Sequence, residues 1–151
     1  MADFALPDDL VFNRGPIEDP EAFARDAHAA SWLYLCGDEW ASMDGGMSYE
    51  QVQAAVTESE RIVTDTPEPL AVDAVRPHLD ALDRLPRPTL ITCRTGPRSS
   101  AIAYLWAGLE SGASADAVLA AADADGAPFI QMPPLRDLVT RGIAELGDTS
   151  S

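Results

Sequence analysis

The sequence predicts an α/β fold, a three-layer sandwich in which helices cover both faces of a mostly parallel central sheet. Two observations predict it. Short apolar runs alternate with capped, helix-like segments along the whole chain. The chain also has 151 residues, of which 46% are hydrophobic, which suits one domain with a substantial core. Because no repeat, low-complexity tract or linker interrupts this pattern, we predict a single domain over residues 1–147 and a frayed tail at 148–151.

The first third of the chain predicts two strands with a helix between them. Leu10–Phe12 is the first candidate strand. The pair Asp19-Pro20 combines an N-cap residue with a proline at the first helical position, and it predicts a helix to about His28. The apolar run at residues 32–36 predicts a buried strand, and residues 37–47 predict a loop.

The middle of the chain predicts a helix, a strand and a break. Residues 48–51 have the spacing of a capping box and predict a helix through about Ser59. Residues 61–64 are the third candidate strand. The prolines in residues 66–69 exclude regular structure there, because proline lacks an N–H and restricts the residue before it.

A further helix is predicted before the fourth strand. Apolar residues at helical spacing indicate it: Val75, Leu79 and Leu82. Pro77 lies among them and predicts either a helix start near Arg76 or a kink. The prolines in residues 86–88 end this helix, and residues 89–92 form the fourth candidate strand.

The last third of the chain predicts three helices. The first shows apolar residues at spacing i, i+3, i+4, i+7, which are Ile102, Leu105, Trp106 and Leu109. The second is capped by Ser114 and ends at Gly126 and Pro128. The third begins at Pro133-Pro134 and presents Leu135, Leu138, Val139 and Ile143 on one face.

Residues 93–100, Cys-Arg-Thr-Gly-Pro-Arg-Ser-Ser, carry the functional prediction. They place Cys93 at the end of a strand, on a turn containing Gly96 that opens a helix. Backbone N–H groups at such a turn point inward, and the helix N-terminus adds a partial positive charge. The turn therefore predicts a cradle for an oxyanion, with a thiol at its floor. The same field stabilises the thiolate, which is the nucleophilic form of cysteine.

The charge of the chain bounds its partners. The formal net charge is −15, which disfavours nucleic acid and anionic membrane surfaces because no positive field offsets phosphate. An anionic substrate therefore needs a local positive pocket, which Arg94 and Arg98 could supply. The predicted partner is a small anionic substrate or a phosphorylated protein; the sequence leaves the oligomeric state open.

The remaining polar and sulfur groups predict no cofactor and no metal site, because two isolated histidines and two distant cysteines form no ligand set. His28 and His78 are predicted on helix surfaces. Cys36 is predicted to be an inert core thiol; the alternative is a redox partner that protects Cys93 as a disulfide. The N-terminus lacks a signal peptide and no apolar run is long enough for a membrane span, so a cytoplasmic location is expected.

Residues 88–100 resemble the active loop of the beta-lactamase-hydrolase-like, phosphatase-like family, and residues 105–107 and 114–122 agree with it. The resemblance covers roughly residues 70–125. It implies the fold of dual-specificity protein phosphatases, with Cys93 as the nucleophile. It also implies that the loop amides and Arg98 hold the oxyanion and that Ser99 lies beside the thiolate. Members of this family are labelled as phosphatases or as sulfur transferases.

In the phosphatase hypothesis, Cys93 forms a phosphocysteine, Arg98 clamps two phosphate oxygens and Ser99 helps the sulfur to leave. The predicted substrate contacts are Arg94, Thr95, Gly96, Pro97 and Ser100. Related phosphatases take their general acid from a loop upstream of the cysteine. Asp65 is the first candidate for that role and Asp73 the second.

One departure from the phosphatase pattern keeps other hypotheses open. Phosphatases have five residues between cysteine and arginine, whereas four separate Cys93 from Arg98. The shorter loop resembles that of single-domain rhodaneses, in which the cysteine carries a persulfide and no general acid is required. A third hypothesis is a catalytically degenerate module that binds an anion or a phosphorylated partner, because Pro97 removes one N–H from the cradle.

Overall fold

A parallel β-sheet forms the centre of the computed structural model, which describes residues 4–43, 46–64 and 70–147. In these ranges the sheet has four strands in the order β1-β4-β2-β3. The strands are β1 (Leu10–Phe12), β2 (Ser31–Tyr34), β3 (Glu58–Arg61) and β4 (Thr89–Thr92). All three strand pairings are parallel, so the carboxyl ends of the strands lie at one edge of the sheet.

Helices cover both faces of this sheet. They are α1 (Pro20–Asp26), α2 (Asp38–Ala41), α3 (Tyr49–Ala55), α4 (Val72–Arg84), α5 (Pro97–Ser111), α6 (Ala115–Asp125) and α7 (Pro133–Gly147), with a 3₁₀ segment at Pro128–Gln131. Alternate strand residues point to opposite faces, so Trp32 and Leu33 enter different cores. Helices α1–α3 pack on one face and α4–α7 on the other. The predicted three-layer α/β sandwich is confirmed.

Strand β4 is the strand that positions the site. It lies between β1 and β2, and Thr89 pairs with Leu10 on one side and Ser31 on the other. All four of its residues are buried, as expected of a strand covered on both faces. The chain therefore leaves the middle of the sheet at Cys93, at the carboxyl edge where α/β sheets bind ligands.

Several local predictions are confirmed. β1 and β4 have the predicted bounds. The Asp19 side chain caps α1 by accepting from the Ala22 N–H, and Ser48 and Gln51 form the predicted capping box of α3. Ser114 caps α6 in the same way, and Gly126 ends it in a left-handed conformation.

Two boundaries were predicted too late in the chain. The helix predicted through Ser59 ends at Ala55, and the strand predicted at residues 61–64 is observed at Glu58–Arg61. β3 is an edge strand held by backbone pairing with β2, and its polar sequence Glu-Ser-Glu-Arg contains no apolar run. The requirement for an apolar run therefore placed the predicted strand at the more apolar residues 61–64 instead.

Other predictions about helices need correction. The loop predicted at residues 37–47 contains the four-residue helix α2. Helix α4 begins at Val72 and continues through Pro77, so the predicted start near Arg76 was wrong, and the alternative of a kink at Pro77 stays a prediction. His78, predicted on a helix surface, is 0% exposed. It lies on the core face of α4 with Val75, Leu79 and Leu82, at spacing i, i+3, i+4 and i+7.

None of the helices in the described ranges is both long and apolar enough to cross a membrane. Residues 148–151, for which the sequence predicts a frayed tail, lie outside those ranges, as does the predicted break at residues 66–69.

Candidate active site

The candidate site is built where β4 passes into α5. Cys93 follows the last residue of β4, and Gly96 is the N-cap of α5 with φ of 111°. A side chain is excluded at Gly96, because a Cβ there would lie 2.2 Å from the backbone oxygen of Asn13. Pro97 occupies the first turn of α5, where its missing N–H costs no helical hydrogen bond. The loop can therefore turn sharply and open directly into the helix.

The sulfur of Cys93 accepts hydrogen bonds from this turn. The Gly96 N–H lies 3.1 Å from Sγ and the Ser99 N–H lies 3.4 Å from it. The Ser99 hydroxyl oxygen is 3.5 Å from Sγ. Donors at a helix N-terminus stabilise negative charge, so this arrangement suits an anion bound beside the sulfur. Cys93 itself is 5% exposed, so only a small part of its surface is accessible to a substrate.

Asn13, which the sequence analysis did not select, organises the loop. It follows β1 and is 1% exposed. Its Nδ2 donates to the backbone oxygens of Cys93 and Gly15, both at 2.9 Å. Its Oδ1 accepts from the Cys93 N–H at 3.2 Å and from the Ser99 hydroxyl at 2.8 Å. One signal could have found this residue, since a polar side chain directly after a strand lies at the ligand-binding edge of the sheet.

The loop carries two arginines, Arg94 and Arg98. Arg94 is half-buried, and its guanidinium carbon lies 5.3 Å from the centroid of the Trp40 ring. Its Nη1 is 3.4 Å from Sδ of Met43. Arg98 is half-buried in the first turn of α5, and Thr95 is exposed at the tip of the loop. Trp40 of α2 and Met43 thus lie beside Arg94 of the loop.

Ser100 connects the loop to the 3₁₀ segment. Its hydroxyl donates to the Pro97 carbonyl at 3.0 Å and accepts from the Phe129 N–H at 3.2 Å. Ser100 is 0% exposed. These contacts give it a packing role, and its predicted contact with substrate stays a prediction.

The general acid also stays a prediction. Asp65, the first candidate, lies outside the described residues. Asp73, the second, is exposed in the first turn of α4 and lines a surface groove with Asp137 and Arg141 of α7.

The two cysteines lie on opposite faces of the sheet. Cys93 packs in the core under α4–α7, whereas Cys36 packs in the core under α1–α3. Both are thiols rather than members of a disulfide. A disulfide needs Cβ atoms that face each other, whereas side chains on opposite faces of a sheet point apart. The geometry favours an inert core thiol at Cys36 over a redox partner of Cys93.

Metal ions in proteins are bound by ligand sets of His, Cys, Asp and Glu side chains. Within residues 4–43, 46–64 and 70–147, no three His, Cys, Asp or Glu side chains come together as a metal site.

Comparison with known proteins gives a match of structure. No protein-family model and no curated protein sequence matches the chain. Among solved structures, a mutant form of Tk-PTP is 18% identical, with a TM-score of 0.74 over 96% of each chain. NMA1982 of Neisseria meningitidis z2491, a candidate phosphatase, is 18% identical, with a TM-score of 0.68 over 94% of this chain and 99% of that one.

The catalytic core of the PP-IP phosphatase SIW14 of S. cerevisiae, solved with citrate, is 11% identical, with a TM-score of 0.67 over 98% of this chain and 90% of that one. The fold is that of the protein tyrosine phosphatase-like phosphatases. These identities establish the phosphatase-like fold alone. The narrower resemblance to the beta-lactamase-hydrolase-like family stays a prediction.

Proposed function

We propose that this protein is a cysteine-dependent, phosphatase-like hydrolase that acts on a phosphorylated, anionic substrate through a covalent intermediate on Cys93. One observation carries the proposal. In a phosphatase-like fold, the Cys93 sulfur lies at the N-terminus of α5 and accepts from the N–H groups of Gly96 and Ser99. This geometry supplies a nucleophile and a place for the oxyanion together.

The proposed reaction has two steps. In the first, the Cys93 thiolate attacks phosphorus, the S–P bond forms, and the bond from phosphorus to the ester oxygen breaks. The leaving oxygen takes a proton from a general acid, for which Asp65 and then Asp73 are the candidates. In the second, water attacks phosphorus, the S–P bond breaks, and inorganic phosphate and the thiolate are released. Arg98 holds two phosphoryl oxygens through both steps with its planar fork.

The charge of the molecule narrows the proposed substrate. Arg94 and Arg98 are the two arginines of the active loop, in a chain of net charge −15. The single phosphoryl group of a monophosphate can bind beside the two arginines. The further phosphoryl groups of a polyphosphorylated substrate would lie outside this positive site, where the net negative charge of the protein repels them. We therefore propose monophosphate esters as substrates. Neighbours of the same fold were solved with anions, SIW14 with citrate and PTPMT1 with PI(5)P.

A rhodanese-like sulfurtransferase is the second candidate, and the loop length favours it. Four residues separate Cys93 from Arg98, and the amides of Gly96 in this short loop and of Ser99 directly after it contact Sγ. The thiolate would attack the outer sulfur of thiosulfate, forming an S–S bond and releasing sulfite. Cyanide would then remove that sulfur as thiocyanate and restore the thiolate. The fold comparisons support the first candidate.

A paired assay separates these hypotheses. Hydrolysis of p-nitrophenyl phosphate and transfer of sulfur from thiosulfate to cyanide are measured on one preparation, with Cys93→Ser as the control. We expect phosphate release that disappears in the variant. Thiocyanate formation without phosphate release would instead select the sulfurtransferase. Anion binding with neither activity would select the third hypothesis, a module that binds a phosphorylated partner without turnover.

A further inference from the structure

The Asn13 side chain uses its full hydrogen-bonding capacity, and three of its four hydrogen bonds go to the active loop. A carboxamide has two N–H donors and one oxygen with two lone pairs. The donors go to the Cys93 and Gly15 carbonyls, and the oxygen accepts from the Cys93 N–H and the Ser99 hydroxyl. The side chain thus holds both backbone groups of the nucleophilic residue, 80 positions away in the sequence.

The orientation of this carboxamide is determined by its neighbours. Exchanging its oxygen and nitrogen would set an NH₂ group against the Cys93 N–H and an oxygen against two carbonyl oxygens. Both contacts would be repulsive, and water could not relieve them because Asn13 is only 1% exposed. Oδ1 must therefore face the Cys93 N–H and Ser99.

The Ser99 hydroxyl has one proton and three neighbours for it. Asn13 Oδ1 lies at 2.8 Å, the Gly96 carbonyl oxygen at 3.1 Å and the Cys93 sulfur at 3.5 Å. While the sulfur is a thiol, its S–H points to the Ser99 oxygen and the hydroxyl proton points to Asn13. When the sulfur is an anion, the same proton can turn toward it.

We propose that Asn13 is a positioning residue that sets the direction of the Ser99 hydroxyl proton and so decides whether this hydroxyl donates to the Cys93 sulfur. The neutral Asn13 oxygen accepts a hydrogen bond from Ser99 that is weak enough for the hydroxyl to turn toward an anionic sulfur instead. A carboxylate at the same place would keep the hydrogen bond from Ser99 and would add a negative charge beside the sulfur. The consequence for turnover, easier loss of the sulfur from the phosphocysteine, rests on the proposed function. The consequence for the free thiol does not.

The experiment is a double-mutant cycle on Asn13→Asp and Ser99→Ala, with Thr140→Ala as the control, since that hydroxyl bonds only the Arg136 carbonyl among its described contacts. The first readout is the rate of Cys93 alkylation by iodoacetamide, followed on its own peptide. We expect Asn13→Asp to slow alkylation by about 10- to 100-fold, the effect of one hydrogen bond to a charged group. The two changes together should slow it much less than the product of their single effects.

The second readout is turnover. If the protein hydrolyses p-nitrophenyl phosphate, Asn13→Asp should lower kcat by a similar factor, with KM within about threefold, because the sulfur rather than substrate binding is affected. A protein without hydrolase activity would overturn the proposed function and leave the alkylation cycle valid. Unchanged alkylation in Asn13→Asp, or single effects that multiply, would overturn the role of Asn13.

A measurement with native Asn13 covers the case in which Asn13→Asp does not fold. Asn13 is the only asparagine in the sequence, so selective ¹⁵N-asparagine labelling gives one side-chain amide pair. We expect this pair to exchange slowly with water and to shift in Ser99→Ala and when Cys93 is alkylated. A pair that exchanges rapidly, or that responds to neither change, would contradict the proposal.

Discussion

The two cysteines occupy nearly equivalent places, and the comparison shows what makes one a candidate nucleophile. Each follows one of two neighbouring parallel strands, Cys36 after β2 and Cys93 after β4. Both are buried thiols. Cys93 leads through a glycine turn into the 15-residue helix α5, and the N–H groups of Gly96 and Ser99 donate to its sulfur, whereas Gly37 after Cys36 opens the four-residue helix α2. Cys36 packs on the opposite face of the sheet, among the core residues under α1–α3.

Burial therefore does not distinguish these thiols, because Cys93 is 5% exposed and Cys36 is 0% exposed. The difference lies in the backbone that follows each residue. The end of a strand places a cysteine at the ligand-binding edge of the sheet. A helix N-terminus that faces the sulfur adds the N–H donors that contact it. The predictions below test that distinction.

The largest effect is expected from exchanging the sulfur itself. Cys93→Ser should lower kcat/KM for p-nitrophenyl phosphate by about 1,000-fold or more, because the alcohol is a far weaker nucleophile. Cys36→Ser is the matched control on the opposite face, and it should retain hydrolysis while losing some thermal stability. Equal losses of activity in the two variants would remove the distinction between the cysteines.

Gly96→Ala tests the turn that brings the donors to the sulfur. The added Cβ would meet the Asn13 carbonyl oxygen at 2.2 Å, and alanine is strained at φ of 111°. We expect a destabilisation of about 2–4 kcal/mol and a large loss of Cys93 alkylation, since the backbone must shift. Gly112→Ala is the control, because that glycine also has positive φ but open space around its Cβ position. Gly112→Ala should lower the melting temperature and leave alkylation unchanged.

Arg98→Lys tests the oxyanion clamp. Lysine keeps the charge but loses the planar fork, so we expect kcat/KM to fall by about 10- to 100-fold with little change in melting temperature. Arg136→Lys on the exposed side of α7 is the matched control and should show normal kinetics. Near-normal turnover in Arg98→Lys would exclude a bidentate clamp at this position.

The smallest effect is expected from His78, which should change stability without changing the site. Its ring is 0% exposed, and neither nitrogen has a hydrogen-bond partner among the described residues. Burial lowers the pKa of His78 below its usual 6.5. Below about pH 6.5 the unfolded chain therefore binds a proton that the native chain resists, and native stability falls as pH falls, by at most about 1.4 kcal/mol per pH unit.

Urea denaturation of the wild-type protein and of His78→Leu between pH 7.5 and 5.5 measures this effect. The free energy of unfolding of His78→Leu should depend less on pH over that interval, and the difference between the proteins should grow as pH falls. Parallel curves for the two proteins would show that His78 is not the titrating group.

How much of this molecule the sequence predicts depends on how local each signal is. β4 was predicted to the residue, because a buried apolar strand is bounded by Pro88 and the cysteine loop. The caps at Asp19, Ser48 and Ser114 were also predicted, since each involves residues three positions apart. β3 was misplaced because an edge strand needs no apolar residues; its partner β2 decides where it lies.

The candidate site divides in the same way. The positions of Cys93, Gly96 and Ser99 follow from one short segment that contains a strand end, a turn and a helix start. The part played by Asn13 depends on the pairing of β1 with β4, which brings together residues 80 positions apart. His78 was misassigned for a different reason, because a titratable residue at core spacing was taken for a surface residue despite its apolar neighbours on the same face.

The central claim is that Cys93 is a reactive sulfur inside an anion-binding turn, whereas Cys36 is not. Peptide-resolved iodoacetamide labelling of the native protein, with and without inorganic phosphate, tests it most directly. We predict that Cys93 is labelled, that Cys36 is not, and that phosphate slows the labelling of Cys93 in a saturable way. Labelling of Cys36 at a similar rate, or of Cys93 without protection by phosphate, would contradict the account.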